Sequence, residues 1–379
     1  MKLMHLSDLH MGKRVNEFSL LEDQKYILAQ ILSMVKREGA DGVVLAGDIY
    51  DKPVPPAEAV QAFDGFLTQL GQWGIPVFVV SGNHDSAERL AFAARLLRGK
   101  GVYLSPVYDG KIEGVPLKDP YGEVMVYLLP FVKPAFVRHV FEGEEVNSYQ
   151  DAVRVAIGHM DLDLKKRNVL VAHQFVTGAV RCESEEVLVG GLDQVDAALF
   201  APFDYVALGH IHSPQHVGRE TVRYCGSPLK YSFSEAEQEK SVTLVELREK
   251  GQVKVRELPL TPLRDMRRIR GTYLQVSALP FYRGANREDY VQVTLTDEED
   301  VPDGMQKLRV IYPNLMRLEY DNKRTRENGD LSGGAQVGRK DSLELFAEFY
   351  ELQNNQPMST QQQAFVEKMI QGIQEARDR

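Results

Sequence analysis

Three short strand-like runs, over residues 2–6, 43–46 and 75–80, are separated by stretches of helical length. In the first of these, Leu21, Ile27, Leu28, Ile31, Leu32 and Val35 recur on one face of a helix over 20–37, which Gly39 ends. Pro53, Pro55 and Pro56 precede a second helix, about 57–70, and a third is expected over 87–97. This β-α-β-α-β-α order predicts an α/β domain with a largely parallel sheet covered by helices. After Gly101 the strands 102–104 and 124–129, with a weaker candidate at 111–115, are divided by Gly and Pro turns, which predicts a more antiparallel region. A helix over 149–160 and strands over 168–172, 205–208, 222–224, 241–247 and 252–258 complete a first domain over 1–260. Pro259 and Pro262 mark its end. A small α+β domain is expected over 261–320, with strands over 267–276 and 288–296 and a helix over 302–308. A polar, Gly-rich linker follows over 321–340. In 341–379 two helices are expected, the first carrying Leu345, Phe346, Phe349, Tyr350 and Leu352 as an aromatic stripe.

The buried strands end alike: an apolar run stops at a sharp turn, and oxygen or nitrogen ligands follow. The segments are Asp8-x-His10, Gly47-Asp48-x-x-Asp51, Gly82-Asn83-His84-Asp85 and Gly209-His210-x-His212, with His173 alone after Val171-Ala172. Five of the nine histidines lie in these segments, which chance would have scattered. The carboxyl edge of a parallel sheet is where open α/β folds place their ligands. Residues two apart on an extended chain point to one side, so Asp8 and His10, or His210 and His212, can address one site. A glycine at each turn admits backbone where a Cβ would clash.

Mixed carboxylate, amide and imidazole donors suit divalent metals such as manganese, iron or zinc. Asp8, His10, Asp48, Asn83, His173, His210 and His212 are too many for one ion. They suit two ions about 3.5–4 Å apart, with Asp48 as the bridging carboxylate, the arrangement used for phosphoester hydrolysis.

In order and spacing these segments resemble the calcineurin-like metallophosphoesterase superfamily, whose signature is D-x-H, G-D-x-x-D, G-N-H-D/E, a lone H and G-H-x-H. Within it the chain is similar to the nuclease subunits of double-strand-break repair complexes. That likeness is carried by Leu6-Ser7-Asp8-Leu9-His10-Met11-Gly12, by the stretch from Ala46 to Pro53, by Tyr224-Cys225-Gly226-Ser227-Pro228 and by Glu344 to Tyr350. The resemblance implies a β-sandwich flanked by helices, a small α+β capping domain and C-terminal helices. It assigns Asp8, His10, Asp48 and His212 to one ion, and Asp48, Asn83, His173 and His210 to the other. His84 would stabilise the phosphate or protonate the leaving 3′ oxygen, and Asp85 would orient His84. Some relatives carry His at the position of Asp51, and a carboxylate cannot supply the same donor at neutral pH, so Asp51 is expected beside the ligands rather than in the chemistry.

The resemblance further implies two divalent ions, manganese first and magnesium, iron or zinc as alternatives. It implies double-stranded DNA ends and hairpins as substrates, and 3′–5′ exonuclease and endonuclease activities. An SMC-like ATPase would dock on Leu345, Phe346, Phe349 and Tyr350. A homodimer of nuclease subunits would form within a heterotetramer, cytoplasmic and associated with the nucleoid. No G-x-x-x-x-G-K-[ST] loop occurs, so the ATP site would lie in the partner.

Composition limits these readings. A net charge of −9 argues against an intrinsic nucleic-acid binder, which ordinarily shows a basic footprint. Lys13-Arg14, Lys165-Lys166-Arg167 and the arginines of 264–270 are solvated faces or local DNA contacts. No apolar run approaches the roughly 20 residues of a membrane helix, and the start reaches Ser7-Asp8 too soon for a signal peptide. Cys182 and Cys225 form no metal-spaced pair and read as thiols of a reducing cytoplasm. His5, His139, His159 and His216 read as structural or surface residues. Two rivals explain the ligands: a phosphomonoesterase or small-molecule phosphodiesterase of the same superfamily, and a non-catalytic scaffold bridging DNA and an ATPase.

Overall fold

The computed structural model describes residues 1–185, 194–323, 325, 342–354 and 356–377, without the side chains of 342, 344, 345, 348, 352, 353 and 371–377. The chain divides into two compact units, Met1–Asp265 and Met266–Arg379.

In the first unit two six-stranded sheets lie face to face. One has the order Val253–Pro259, Ser241–Leu247, Lys2–Leu6, Gly42–Ala46, Val77–Val80, Val102–Leu104. The last four strands are parallel, as the β-α alternation predicts, and Ser241–Leu247 returns antiparallel beside Lys2–Leu6. The helices between these strands, Leu21–Glu38 and Ala57–Gln72, pack on each other and bury Ile27, Ile31, Val35, Phe63, Phe66 and Leu70. Gly39, left-handed at φ 63°, closes the first of them.

The second sheet has the order Gln215–Val217, Arg219–Tyr224, Tyr205–Gly209, Arg167–His173, Gly122–Leu129, Val115–Asp119. Its four central strands are parallel and only the edge pairs are antiparallel. The antiparallel expectation thus holds for the pair Val115–Asp119 and Gly122–Leu129 and fails for the neighbours of Val102–Leu104 and Arg167–His173. Parallel neighbours need a crossover, and between Gly122–Leu129 and Arg167–His173 it is made by Pro134–Val140 and Tyr149–Gly158. The first of these helices is too short to show periodicity.

The helix expected over 87–97 is broken into Ala87–Leu90 and Ala94–Arg98 by Ala93, at φ 60°. Phe92 and Leu96 are 81% and 80% exposed, so these turns have little apolar burial to hold them as one helix.

The facing sides of the sheets interdigitate Val44, Ala46, Phe78 and Val80 with Val126, Leu128, Val169, Val171, Tyr205 and Ala207. The outer face of the second sheet packs Leu170, Ala172, Val206 and Leu208 against Ala152, Val153 and Ala156 of the helix Tyr149–Gly158. Strands buried on both faces read as continuous apolar runs, which is why they were legible.

The second unit carries three parallel strands, Met266–Gly271, Tyr290–Leu295 and Leu315–Tyr320, alternating with short helices. The strand expected over 267–276 stops at Gly271, because Thr272 and Gln275 cap a helix over Tyr273–Val276. Two further helices follow, Ser342–Asn354 and Thr360–Arg377. Phe346 and Phe349 are exposed, and the Tyr350 hydroxyl accepts from Gln362 Nε2 at 2.8 Å. The Leu345 side chain and most of the linker expected over 321–340 lie outside the described residues. No described helix is long and apolar enough to cross a membrane.

Phe78 is fully buried between the sheets and stacks on Tyr103 at 5.0 Å. Phe78→Ala should cost the first unit about 3–5 kcal/mol. Urea unfolding followed by fluorescence of Trp73, the chain's one tryptophan, should show an earlier midpoint; an unchanged midpoint would contradict this packing.

Candidate metal centre

The carboxyl ends of five strands, three from one sheet and two from the other, meet at one edge of the sandwich. The loops after Lys2–Leu6 and Gly42–Ala46 are zipped together. Asp8 N–H donates to the Gly47 carbonyl (3.1 Å), His10 N–H to that of Asp48 (2.9 Å) and Met11 N–H to that of Ile49 (2.8 Å). From the helix side, Gln24 Nε2 donates to the carbonyls of Leu9 (3.1 Å) and His10 (2.7 Å). These bonds hold Asp8, His10 and Asp48 at φ of 52°, 42° and 50°, and His210 stands at 105°. Non-glycine residues there cost about 1–3 kcal/mol each, so the surrounding bonds must over-determine them.

The glycines permit the convergence. A Cβ on Gly82 would stand 2.1 Å from Asp48 Oδ1, and one on Gly209 would stand 1.8 Å from the Ala46 carbonyl oxygen.

Asp8, His10, Asp48, His173, His210 and His212 are all buried. His10 Nε2 and His212 Nε2 face each other at 3.2 Å. His173 Nδ1 lies 2.8 Å from the Ala46 carbonyl, which can only accept, so Nδ1 carries a proton. His173 Nε2 then faces Asn83 Oδ1 at 3.0 Å and Asp48 Oδ2 at 3.4 Å. Asn83 Oδ1 is also 3.1 Å from His210 Nδ1. The Asp8 carboxylate accepts from His210 N–H at 3.1 and 3.2 Å. Asp48 Oδ2 also lies 3.6 Å from His10 Nε2, so one carboxylate serves both groups of donors.

The electrostatics show what such a cluster needs. Burial pushes Asp8 up to about 6, against the attraction of His173 and His212. Burial would also raise Asp48, but His173, His10 and His84 hold it well below the usual carboxylate range. Burial opposes a charge on His173, yet Asp48 and Asp8 outweigh it and raise the imidazole to about 9. Burial, with His173 nearby, drives His210 down to about 3. Lone pairs therefore converge on the same points from nitrogen and oxygen, and only a positive charge reconciles them. A proton on His173 serves in the metal-free protein. The donor set and its burial fit divalent cations, and Asp8, His10 and His212 form one compact group while Asp8, Asp48 and His173 form another.

His84 sits at the rim, 14% exposed. Its backbone N–H donates to Asp48 Oδ1 at 3.0 Å, its Nδ1 meets the Asp51 carbonyl at 3.2 Å, and its Nε2 lies 4.0 Å from Asp48 Oδ2. The expectation that Asp85 orients the His84 ring is corrected. The Asp85 carboxylate accepts from the backbone N–H groups of Ile49 (3.1 Å), Tyr50 (2.9 Å) and Gly82 (2.9 Å), tying the Asp48 loop to the Gly82 turn. The Asp51 carbonyl takes the orienting place. The Asp51 carboxylate accepts from Lys13 Nζ at 2.8 Å and stands 3.8 Å from His10 Nδ1, a buried nitrogen without a hydrogen-bond partner.

Four residues that periodicity and motif did not flag lie behind His212: Ser184, Glu185, Glu235 and Lys240. They come from loops and from the end of the short 3-10 helix Phe233–Glu235, and no period or motif marks them in sequence. Among the remaining histidines, His5 is buried against the Tyr205 hydroxyl (2.9 Å), and burial holds it down at about 3. His159 stacks on Phe141 at 4.1 Å. His139 and His216 are exposed. Of the basic clusters, Arg167 is buried and pairs with Asp119 at 2.5 Å, which removes it from any DNA face.

Because Asp48 raises His173, Asp48→Asn should lower that imidazole from about 9 in metal-free protein. An NMR titration of the histidines reads this directly, and a resonance still titrating near 9 would refute the coupling.

Residues 1–214 match the family described as calcineurin-like phosphoesterase, and residues 262–354 match the type 5 capsule protein repressor C-terminal domain. The chain is 30% identical over 377 residues to the D component of the nuclease SbcCD of Staphylococcus epidermidis, covering 98% of this chain and 99% of that one. It is 31% identical over 384 residues to the protein of the same name from Staphylococcus saprophyticus, covering 99% of each. A solved structure of a Danio rerio dimetal phosphatase aligns with 69% of this chain and 98% of its own at 14% identity, with a TM-score of 0.40. All seven strand-end donors, from Asp8 to His212, fall inside the first matched span, which covers more than half of the residues. On the match and on the relatives' identity over nearly their whole length, the chain belongs to the calcineurin-like phosphoesterase family.

Proposed function

We propose that this chain is the metal-dependent nuclease subunit of a DNA-processing complex, hydrolysing phosphodiesters in double-stranded ends and hairpins. The observation that carries the reading is Asp48, whose one carboxylate lies within 3.6 Å of imidazole nitrogens on both sides of the cluster. Asp8, His10, Asp48 and His212 would hold one divalent ion, and Asp48, Asn83, His173 and His210 the second, with manganese preferred over magnesium, iron or zinc. When bound, such a pair supplies a water acidified toward neutrality and positive charge for the phosphate oxygens.

The chain's own residues do the rest. The strained loops hold the donors in place before substrate arrives. His84, anchored through Nδ1 on the Asp51 carbonyl, holds Nε2 4.0 Å from Asp48 Oδ2, beside the ligands, where it can give a proton to the leaving 3′ oxygen. Asp85 holds the turn carrying His84 against the Asp48 loop, so proton donor and ligands move together.

The names of the two staphylococcal relatives support a nuclease and a complex with a second kind of subunit. We assign the partner as an SMC-like ATPase that docks on the helix carrying Leu345, Phe346, Phe349 and Tyr350, with two nuclease subunits in the assembly, acting in the cytoplasm on nucleoid DNA. The exposure of Phe346 and Phe349 supports that surface.

His84→Gln should lower manganese-dependent cleavage of a linear duplex and a hairpin by roughly 10²–10⁴-fold, with two manganese ions still bound per chain. Loss of metal would make His84 a ligand instead of an acid. Wild-type turnover of p-nitrophenyl phosphate without DNA cleavage would replace this reading with a small-molecule phosphoesterase. Deleting residues 341–379 should spare intrinsic nuclease activity and abolish ATPase binding in co-purification; an intact complex would place docking elsewhere.

A further inference from the structure

His212 is gripped from behind by a buried ion pair that the metal reading alone does not require. Glu235 is fully buried, and its Oε2 accepts from Lys240 Nζ at 2.5 Å. Lys240 Nζ donates as well to the His212 carbonyl (2.8 Å), Ser227 Oγ (3.0 Å) and Gln238 Oε1 (2.9 Å). Glu235 Oε1 accepts from Tyr231 N–H at 3.2 Å and lies 2.6 Å from Ser184 Oγ, which lies 2.9 Å from His212 Nδ1. Glu185 Oε1 accepts from the His212 backbone N–H at 2.7 Å, fixing the residue's main chain from the same strap.

Counting protons along this relay decides the tautomer. Beside the Lys240 ammonium, Glu235 is a carboxylate and can only accept. Ser184 has one hydroxyl proton, and that proton goes to Glu235. The oxygen of Ser184 is then left to accept, so His212 Nδ1 must carry a hydrogen. His212 Nε2 is thereby left with its lone pair, and that atom faces His10 Nε2 inside the cluster.

We infer that Glu235, acting through Ser184, fixes His212 in the tautomer that presents Nε2 as a donor atom, and so serves as a positioning residue for the metal centre. The inference rests on the reading of His212 as a ligand. A ring whose far nitrogen is committed to a carboxylate relay is both oriented and made more basic toward a metal. Reversing the tautomer would place the His212 Nδ1 lone pair against the Ser184 oxygen and force that hydroxyl to abandon Glu235. Lys240 keeps Glu235 charged without exposing it to water, and its bond to the His212 carbonyl couples the relay to the backbone of the ligand it serves.

The test compares the full-length protein with Glu235→Gln and Ser184→Ala. A glutamine can donate as well as accept, so Ser184 no longer has to give its proton away. In ¹⁵N-histidine spectra of the metal-free chain, His212 should be predominantly Nδ1-protonated in the wild type and a mixture of tautomers in Glu235→Gln. In calorimetric titration with manganese, one of the two ions should bind roughly 10–100-fold more weakly in that variant. If the orphaned Lys240 prevents Glu235→Gln from folding, Ser184→Ala, which leaves the ion pair whole, decides the matter. It should shift both readouts in the same direction by a smaller amount, since Glu235 Oε1 is 3.5 Å from His212 Nδ1. An unaltered His212 tautomer in a folded variant, or two unaltered manganese affinities, would overturn the role of Glu235. Wild-type protein that binds no manganese would overturn the reading of the site itself.

Discussion

The carboxylate of Asp48 is the point on which the arrangement rests. It belongs to a loop of the first sheet, yet it faces His173 of the second sheet at 3.4 Å and His10 of its own at 3.6 Å, and it accepts the backbone N–H of His84 at 3.0 Å. Attraction from His173, His10 and His84 overcomes the burial that would otherwise neutralise it. Asp8, also buried but surrounded by less compensating charge, is pushed the other way. The opposite shifts of two carboxylates in one pocket reflect how unevenly the imidazoles are distributed around them.

That pocket exists because the sheets approach each other closely at their carboxyl ends. With any side chain at Gly209 the second sheet would collide with the Ala46 carbonyl, and with one at Gly82 the turn would displace Asp48. The same closeness lets the Ala46 carbonyl fix the tautomer of His173 across the gap. Left-handed backbone at Asp8, His10 and Asp48 is the cost of aiming these side chains into one pocket from the ends of extended strands. The zipper of Asp8, His10 and Met11 N–H groups onto the carbonyls of 47–49 holds that conformation. Asp85 closes the third side with three backbone hydrogen bonds.

Much of this was legible because fully buried strands announce themselves as apolar runs, and because the polar donors that meet in space lie immediately after them. Asp8, His10, Asp48, Asn83, His173, His210 and His212 are marked in that way, and the structure does bring them together. What stayed hidden has a common cause. Asp85 looks like a partner for its neighbour His84, but in a tight turn adjacent side chains diverge, and its carboxylate turns to the backbone of another loop. Glu235 and Lys240 act across a loop with no period, so nothing local marks them. The parallel centre of the second sheet is hidden because its crossover includes the short helix Pro134–Val140, and the break at Ala93 because helical spacing continues across a residue that is not helical.

The acidic balance of the chain takes on a specific meaning in this light. Several cations that sequence would offer to a phosphate backbone are paired with the protein's own carboxylates: Arg167 with Asp119, Arg264 with Asp23, Arg267 with Asp289, and Arg270 with Asp321. Lys13, beside the cluster, is held by Asp51. These cations thus contribute to packing and loop attachment before they contribute to any long-range field. Counterion release, which dominates affinity for duplex DNA, needs cations whose charge is still available. With these cations paired and a net charge of −9, the chain offers a duplex little general electrostatic attraction. Under the proposed function, a DNA-holding partner would supply the attraction that these paired cations do not.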